Sequence, residues 1–226
     1  MDKDLKKRKA AERAYEIIEK KISKETVLGI GTGSTTNHFI DILNKEDLDI
    51  YGIVSSSKES TSRLEKSGLN ILHLNDVYHL DYYVDGADEF NDTNELIKGG
   101  GGALTREKIL ANSSNCFICI VDDAKFSKVL GNFPVAIEVI ELARSAISRQ
   151  IMKLGGKPVY RENFLTDNGN QIIDVHNMDL KIPLEVEEYI NSIPGVVENG
   201  IFSRKKADII LKSSESGVEN INLVDL

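Results

Sequence analysis

The chain has 226 residues, with 28 Lys+Arg against 36 Asp+Glu and a formal charge of −8. Apolar residues at 41% and charged residues at 28% are ordinary globular usage, which excludes disorder and collagen-like repeats. No run reaches the roughly 18 apolar residues of a membrane span. The acidic balance argues against a dedicated nucleic-acid binder while leaving small anionic ligands open.

At its start, Ala11, Ala14, Ile18 and Ile22 follow helical spacing and predict an amphipathic helix. Mixed charges without an unbroken apolar stretch give no secretory signal, so a cytoplasmic location is expected. Lys6-Lys7-Arg8-Lys9 reads as a solvated helix face rather than a nuclear address.

Strand-like TVLGIG (26–31), a glycine turn and a helix over Thr35–Leu43 come next. IYGIVSS, a helix from Lys58 to Lys66 ended by Gly68, and a strand LNILHL follow. DYYVDGADE, a glycine-rich loop, a helix over Thr105–Asn112 and the strand CFICIVD continue the alternation. Strands alternating with helices at this spacing predict right-handed parallel crossovers. Cys116 and Cys119 have C-x-x-C spacing, but strand positions three apart face opposite sides, so two buried structural thiols are expected. The four histidines show no paired-ligand spacing, and no metal site is expected.

Past Gly131 the pattern changes. Strand VAIEVI, helix Ala143–Leu154, strands PVYRE and LTDNGNQIIDVH, a helix over Leu184–Asn191 and strand GVVENGIF give the order β-α-β-β-α-β of a ferredoxin-like domain. Asn168-Gly169 signals a type I′ hairpin. ADIILK returns to strand chemistry and is expected to rejoin the first sheet; the tail ENINLVDL has no assignable partner. The fold class is therefore α/β, an open, mostly parallel Rossmann-like sheet (1–130 plus 206–226) with an inserted smaller α+β domain (131–205).

Open α/β sheets bind ligands outside the carboxyl ends of their strands, and three polar loops stand there. The first is GIGTGSTT, Gly29 to Thr36, where glycines admit an anion to the backbone and the following helix offers unpaired N–H groups. It lacks the Gly-Lys-Ser/Thr of a Walker loop and has Thr36 where G-x-G-x-x-G needs glycine. Ser55-Ser56-Ser57 replaces a ribose-binding acid, so a single phosphate is favoured over a dinucleotide. A tight turn capped by Ser or Thr is the plain structural alternative.

The second loop, VDGADEF, places Asp85, Asp88 and Glu89 together after an apolar strand. Such acids repel one another unless proton transfer or a cation uses them; the alternatives are a turn with a helix start, or a Mg²⁺ site. The third, IKGGGGALTREKI, retains four glycines at considerable entropic cost, as a backbone converging on a ligand would. Lys98 ahead of them suits an oxyanion, and Glu107 stands in the first turn of the next helix.

Together GIGTGSTT, VSSSKEST, YVDGADE and KGGGGALTREKI resemble the A-type ribose-5-phosphate isomerases. The likeness continues through ARSAISRQIMKLGG, TDNGNQIIDVH and SIPGVVENGIF, over nearly the whole chain. The resemblance implies isomerisation of ribose 5-phosphate and ribulose 5-phosphate through an enediolate. Glu107 would be the base, with Lys98 and the N–H groups of Gly99, Gly100 and Gly101 stabilising the oxyanion. Asp85 would open the furanose ring and Asp88 would move protons among sugar oxygens. The sugar is also expected to meet Gly86 and Ala87 of the same loop. Thr32, Gly33, Ser34 and Thr35 would hold the phosphate, and Lys125 matches another substrate-contacting position. A first-helix lysine also contributes in this family, and Lys7, Arg8 and Lys9 compete for that role. No cofactor, no metal, no nucleic acid or membrane partner and a homodimer or larger homo-oligomer are implied. A non-catalytic sugar-phosphate sensor of related fold is the alternative, against which the retained Lys98 and Glu107 argue.

Overall fold

The computed structural model describes residues 2–66 and 68–222. Along the chain α1 (Lys3–Ile18) precedes β1 (Val27–Ile30), α2 (Ser34–Leu43), β2 (Gly52–Ser55) and α3 (Lys58–Leu64). Then come β3 (Leu80–Asp85), β4 (Glu89–Phe90), β5 (Leu96–Ile97), α4 (Leu104–Asn112) and β6 (Ser114–Asp122). These are followed by β7 (Val135–Val139), α5 (Arg144–Lys153), β8 (Lys157–Tyr160) and β9 (Gln171–His176). Last are α6 (Pro183–Asn191), β10 (Val196–Asn199), β11 (Ile201–Phe202), β12 (Ile209–Ser214) and β13 (Gly217–Asn222). Of the described residues, those up to 86, 109–125 and from 207 onward form one compact unit, and residues 87–108 and 126–206 another.

The first unit is built on a six-stranded sheet in the order β13-β12-β6-β3-β1-β2. Its neighbours are parallel except for the β12–β13 pair. The loops leaving β1, β3 and β6 therefore share one edge. Alternate residues Leu28, Ile30, Val84, Ile118 and Ile120 bury one face beneath α1 and α2. Ala10, Ala11 and Ala14 are fully buried, so α1 packs through small side chains that let its backbone approach closely. Cys116 joins Ile118 and Ile120 in this core, while Cys119, of opposite parity, is buried beyond it. Part of the tail supplies β13, which pairs antiparallel with β12 as far as Asn222; residues 223–226 lie outside the described residues.

One expected strand does not form. LNILHL contributes a single bridge, Ile71 beside Ile53, and the chain then turns into a 3₁₀ segment at Leu74–Asp76. His73 Nδ1 accepts from Asn75 N–H at 3.2 Å, and this local bond turns the backbone away from the ladder.

The second unit holds an antiparallel sheet in the order β10-β7-β9-β8, joined by α5 and α6 in the β-α-β-β-α-β order. Ile137, Val139, Ile147, Ile151, Ile173 and Ile190 form its core. The hairpin between β8 and β9 forms, but not as type I′, which needs φ > 0 at both central residues. Thr166 O accepts from Gly169 N–H and Asn170 O from Thr166 N–H, with φ positive at Gly169 (+81°) but not at Asn168. The loop thus closes over three residues with glycine in the left-handed position.

Residues 87–108 group with this second unit, whereas the sequence reading has its first domain continuous to 130. The cause is a small antiparallel sheet, β11-β5-β4. The predicted strand 195–202 is split between β10 and β11 at Gly200, where a Cβ would lie 2.1 Å from Lys98 O.

Candidate active site

In the first unit the loop after β1 is organised around Asp85. This side chain is fully buried, and its Oδ1 accepts from Thr32 N–H (3.0 Å), Gly86 N–H (2.7 Å) and the Thr36 hydroxyl (3.2 Å). Tyr83 O–H donates to Oδ2. These neutral donors compensate a carboxylate that would otherwise be costly to bury. Gly31 packs against it so closely that a Cβ would sit 1.9 Å from Asp85 Cγ. Ser60 donates to Gly31 O at 2.7 Å, and Thr32 and Ser56 hydroxyls meet at 2.8 Å, so the serine run after β2 braces the loop.

Gly33 adopts φ +114°, ψ 173° and caps α2 without a side-chain hydrogen bond. The first N–H groups of α2 thus face outward beside the Ser34 and Thr35 hydroxyls, as an anion requires. Lys7 Nζ donates to Ser34 Oγ at 2.9 Å, whereas Arg8 pairs with Glu12 along α1. Helix phase explains the choice: consecutive positions point about 100° apart, and only one can meet the loop. Lys125 ends a 3₁₀ turn directly after β6.

The three acids of the DGADE motif part company: Asp85 belongs to the first unit, Asp88 and Glu89 to the second. Glu89 is buried and accepts from the N–H groups of Gly131, Asn132 and Phe133 at 3.0–3.2 Å, a structural clamp. Asp88 is partly exposed, and its Oδ2 accepts from Gly100 N–H at 2.8 Å. Among the described residues no group of three or more His, Cys, Asp and Glu is arranged to hold a metal ion.

Lys98 follows β5 and donates its backbone N–H to Gly200 O at 2.9 Å. Its Nζ stands 3.3 Å from Glu107 Oε2, with the two side chains only 3% and 5% exposed. Removing one cation and one carboxylate from water is expensive and contributes little net stability. What the pair offers is a base with an electrophile beside it.

The residues flanking Glu107 tether the first turns of α4. The Thr105 hydroxyl donates to Glu138, and Arg106 donates to Asn168 Oδ1 (2.8 Å) and Asp167 O (3.0 Å). Lys108 Nζ reaches Glu187 and Glu198 at 2.9 Å and Ile201 O at 2.7 Å. The Phe202 ring is close to both lysines, its centroid 5.7 Å from Lys98 Nζ and 4.9 Å from Lys108 Nζ. Sequence reading missed Lys108 and its partners, because buried charges 79 and 90 positions apart leave no local pattern.

The deeply buried acid–lysine pair of the second unit suits proton transfer, and the loop after β1 in the first unit suits an anion. The family profile of ribose 5-phosphate isomerase A (phosphoriboisomerase A) matches residues 52–217. The ribose-5-phosphate isomerase A of Legionella pneumophila (strain Lens) is 53% identical over 213 residues, covering 94% of this chain and 97% of that protein. The crystal structure of ribose 5-phosphate isomerase A from Neisseria gonorrhoeae superposes with TM-score 0.93 at 43% identity, covering 99% of both chains. A D-ribose-5-phosphate isomerase in complex with phospho-erythronic acid superposes with TM-score 0.92 at 36% identity, over 98% of this chain and 100% of that one. These likenesses define an aldose–ketose isomerase. The chain belongs to the ribose 5-phosphate isomerase A family.

Proposed function

We propose that this protein interconverts D-ribose 5-phosphate and D-ribulose 5-phosphate by moving one proton between carbons 2 and 1. The observation that carries the reading is the 3.3 Å approach of Lys98 Nζ to Glu107 Oε2, both buried. A carbon acid beside a carbonyl is weakly acidic, so its base needs an electrophile at the neighbouring oxygen. Glu107 takes the proton from carbon 2 of the open-chain aldose. Electrons flow into the C1–C2 bond and onto the carbonyl oxygen, giving an enediolate that Lys98 and the N–H groups of Gly99 and Gly101 stabilise. Glu107 returns the proton to carbon 1, and Asp88 moves the hydroxyl proton between the sugar oxygens.

Thr32, Gly33, Ser34 and Thr35 hold the phosphate with the start of α2; Lys7 and Lys125 supply positive charge. Gly86 and Ala87 line the sugar. For Asp85 to open the ring, it exchanges one of its four donors for a sugar hydroxyl. Neither metal nor cofactor takes part. The expected setting is the cytosol, with a homodimer as the assembly; among the described residues no helix is long and apolar enough to cross a membrane.

The test is formation of ribulose 5-phosphate from ribose 5-phosphate by chelator-treated protein, with Glu107→Gln alongside. Wild type should convert the sugar, while the variant loses at least about 10²-fold in kcat and still binds it. A wild type that binds without turnover would identify a sensor, and an active Glu107→Gln would remove the base from its role.

A further inference from the structure

Arg161 belongs to none of the motifs that carry the isomerase reading, yet its guanidinium grips the glycine run. Nη2 donates to Gly99 O at 3.1 Å and Nη1 to Gly100 O at 3.3 Å. The fork is itself held by Asp174, through Nε to Oδ2 at 2.8 Å and Nη2 to Oδ1 at 2.5 Å, and it lies 5.2 Å from the Phe164 ring centroid. A salt bridge between neighbouring strands would need only Asp174. The two remaining bonds are spent on main-chain carbonyls.

Those bonds determine which way the peptides face. In a trans peptide the C=O and the following N–H point in opposite directions, and no cis bond occurs among the described residues. Gly99 C=O turned to Arg161 therefore sends Gly100 N–H away, and that group meets Asp88 Oδ2 at 2.8 Å. Gly100 C=O turned to Arg161 sends Gly101 N–H away in the same manner. This N–H has no protein acceptor among the described residues, and Gly100 and Gly101 are both exposed. Gly102 N–H also donates to Gly99 O at 3.0 Å, but among the described residues no backbone bond holds Gly100 O, and a glycine backbone visits both signs of φ with little cost. The same segment braces the end of the run: at Gly102, φ +81°, a Cβ would sit 2.2 Å from Phe164 Cζ.

We propose that Arg161 is a positioning residue, which grips the carbonyls of Gly99 and Gly100 so that Gly100 N–H orients Asp88 and Gly101 N–H faces the developing oxyanion. Its positive charge on the carbonyl side also polarises both peptides and strengthens their N–H groups as donors. The inference rests on the isomerase reading, because it assigns the direction of donors to that reaction's oxyanion.

Steady-state kinetics of Arg161→Ala and Arg161→Lys, with and without millimolar methylguanidinium, test it. Calorimetric titration with phospho-erythronic acid runs beside the kinetics, its carboxylate standing for the enediolate oxygens. Loss of one oxyanion donor predicts a kcat lower by about 10²-fold in Arg161→Ala, with KM within a few-fold of wild type. Affinity for phospho-erythronic acid should fall, and methylguanidinium should restore part of kcat. Arg161→Lys keeps the charge but not the fork, and should lose about tenfold in kcat at unchanged KM; it decides the matter if the alanine variant does not fold. Wild-type kcat in either folded variant overturns the proposal. So does a loss that raises KM in step and ignores methylguanidinium. An inactive wild type would instead overturn the isomerase reading, and this inference with it.

Discussion

Gly31 and Gly33 stand two residues apart in one loop and are glycine for different reasons. At Gly31 a side chain has no room, since its Cβ would overlap Asp85; at Gly33 there is open space, but φ +114° with ψ 173° is a conformation L residues avoid. Gly33→Ala should therefore cost about 1–3 kcal/mol of backbone strain and leave Asp85 in place. Gly31→Ala must push Asp85 off its four donors, adding overpacking to the loss of a buried carboxylate's partners. Urea denaturation should show Gly31→Ala as the less stable of the two. Equal midpoints would mean that the loop yields without disturbing Asp85.

The short hairpin of β4 and β5 needs help, because strands of two residues bury too little to form alone. Glu95 supplies it: Oε2 accepts from Asn91 (2.7 Å) and Thr93 (2.9 Å), and Oε1 takes Ser203 beyond β11 at 2.5 Å, with Lys206 at 3.5 Å. Burial alone would raise the carboxyl's pKa, but the bonds from Ser203, Asn91 and Thr93, with the Lys206 charge, more than offset it and hold it below the ordinary glutamate value. A depressed folded pKa means that the stability contributed is full above the ordinary glutamate range and lost as pH falls through the lower folded value. Glu95→Gln should thus melt several degrees below wild type at neutral pH, and the gap should close in acid. A gap independent of pH would assign Glu95 a role of shape rather than charge. Because Lys98 directly follows β5, the same variant should also lower kcat.

For the molecule as a whole, the proposed homodimer has a candidate surface in the second unit. Leu142 is 95% exposed, and its neighbour Ile140 is 51% exposed. Single exposed apolar residues are common, but a leucine bare to this degree beside a half-exposed isoleucine is what an interface covers. Leu142→Asp should move the protein from dimer to monomer in sedimentation velocity. A dimer that persists in the variant would place the interface elsewhere, and a monomeric wild type would remove it.

Much of the candidate site is legible in the residues alone because its requirements are local. An anion at a helix start asks for glycine and hydroxyls in one loop, and an oxyanion asks for a glycine run beside a lysine; both lie within a dozen positions. The parallel sheet announced itself through period and alternation, which are also local signals. The remainder depended on contacts between distant positions. Nothing near Lys7 distinguishes it from Arg8 and Lys9 until α1 packs and helix phase presents one of them to Ser34. Glu89 matches Asp85 and Asp88 in chemistry, yet strand alternation and three N–H groups from 131–133 turn it into a clamp. LNILHL has strand-like composition, but one bridge and a histidine-stabilised turn ended its ladder. Arg161, about 60 positions from the glycines it holds, became visible only once β8 and β9 were folded. Composition and periodicity depend on neighbours along the chain, whereas the direction of a peptide and the partner of a buried charge are decided by packing against residues far away in it.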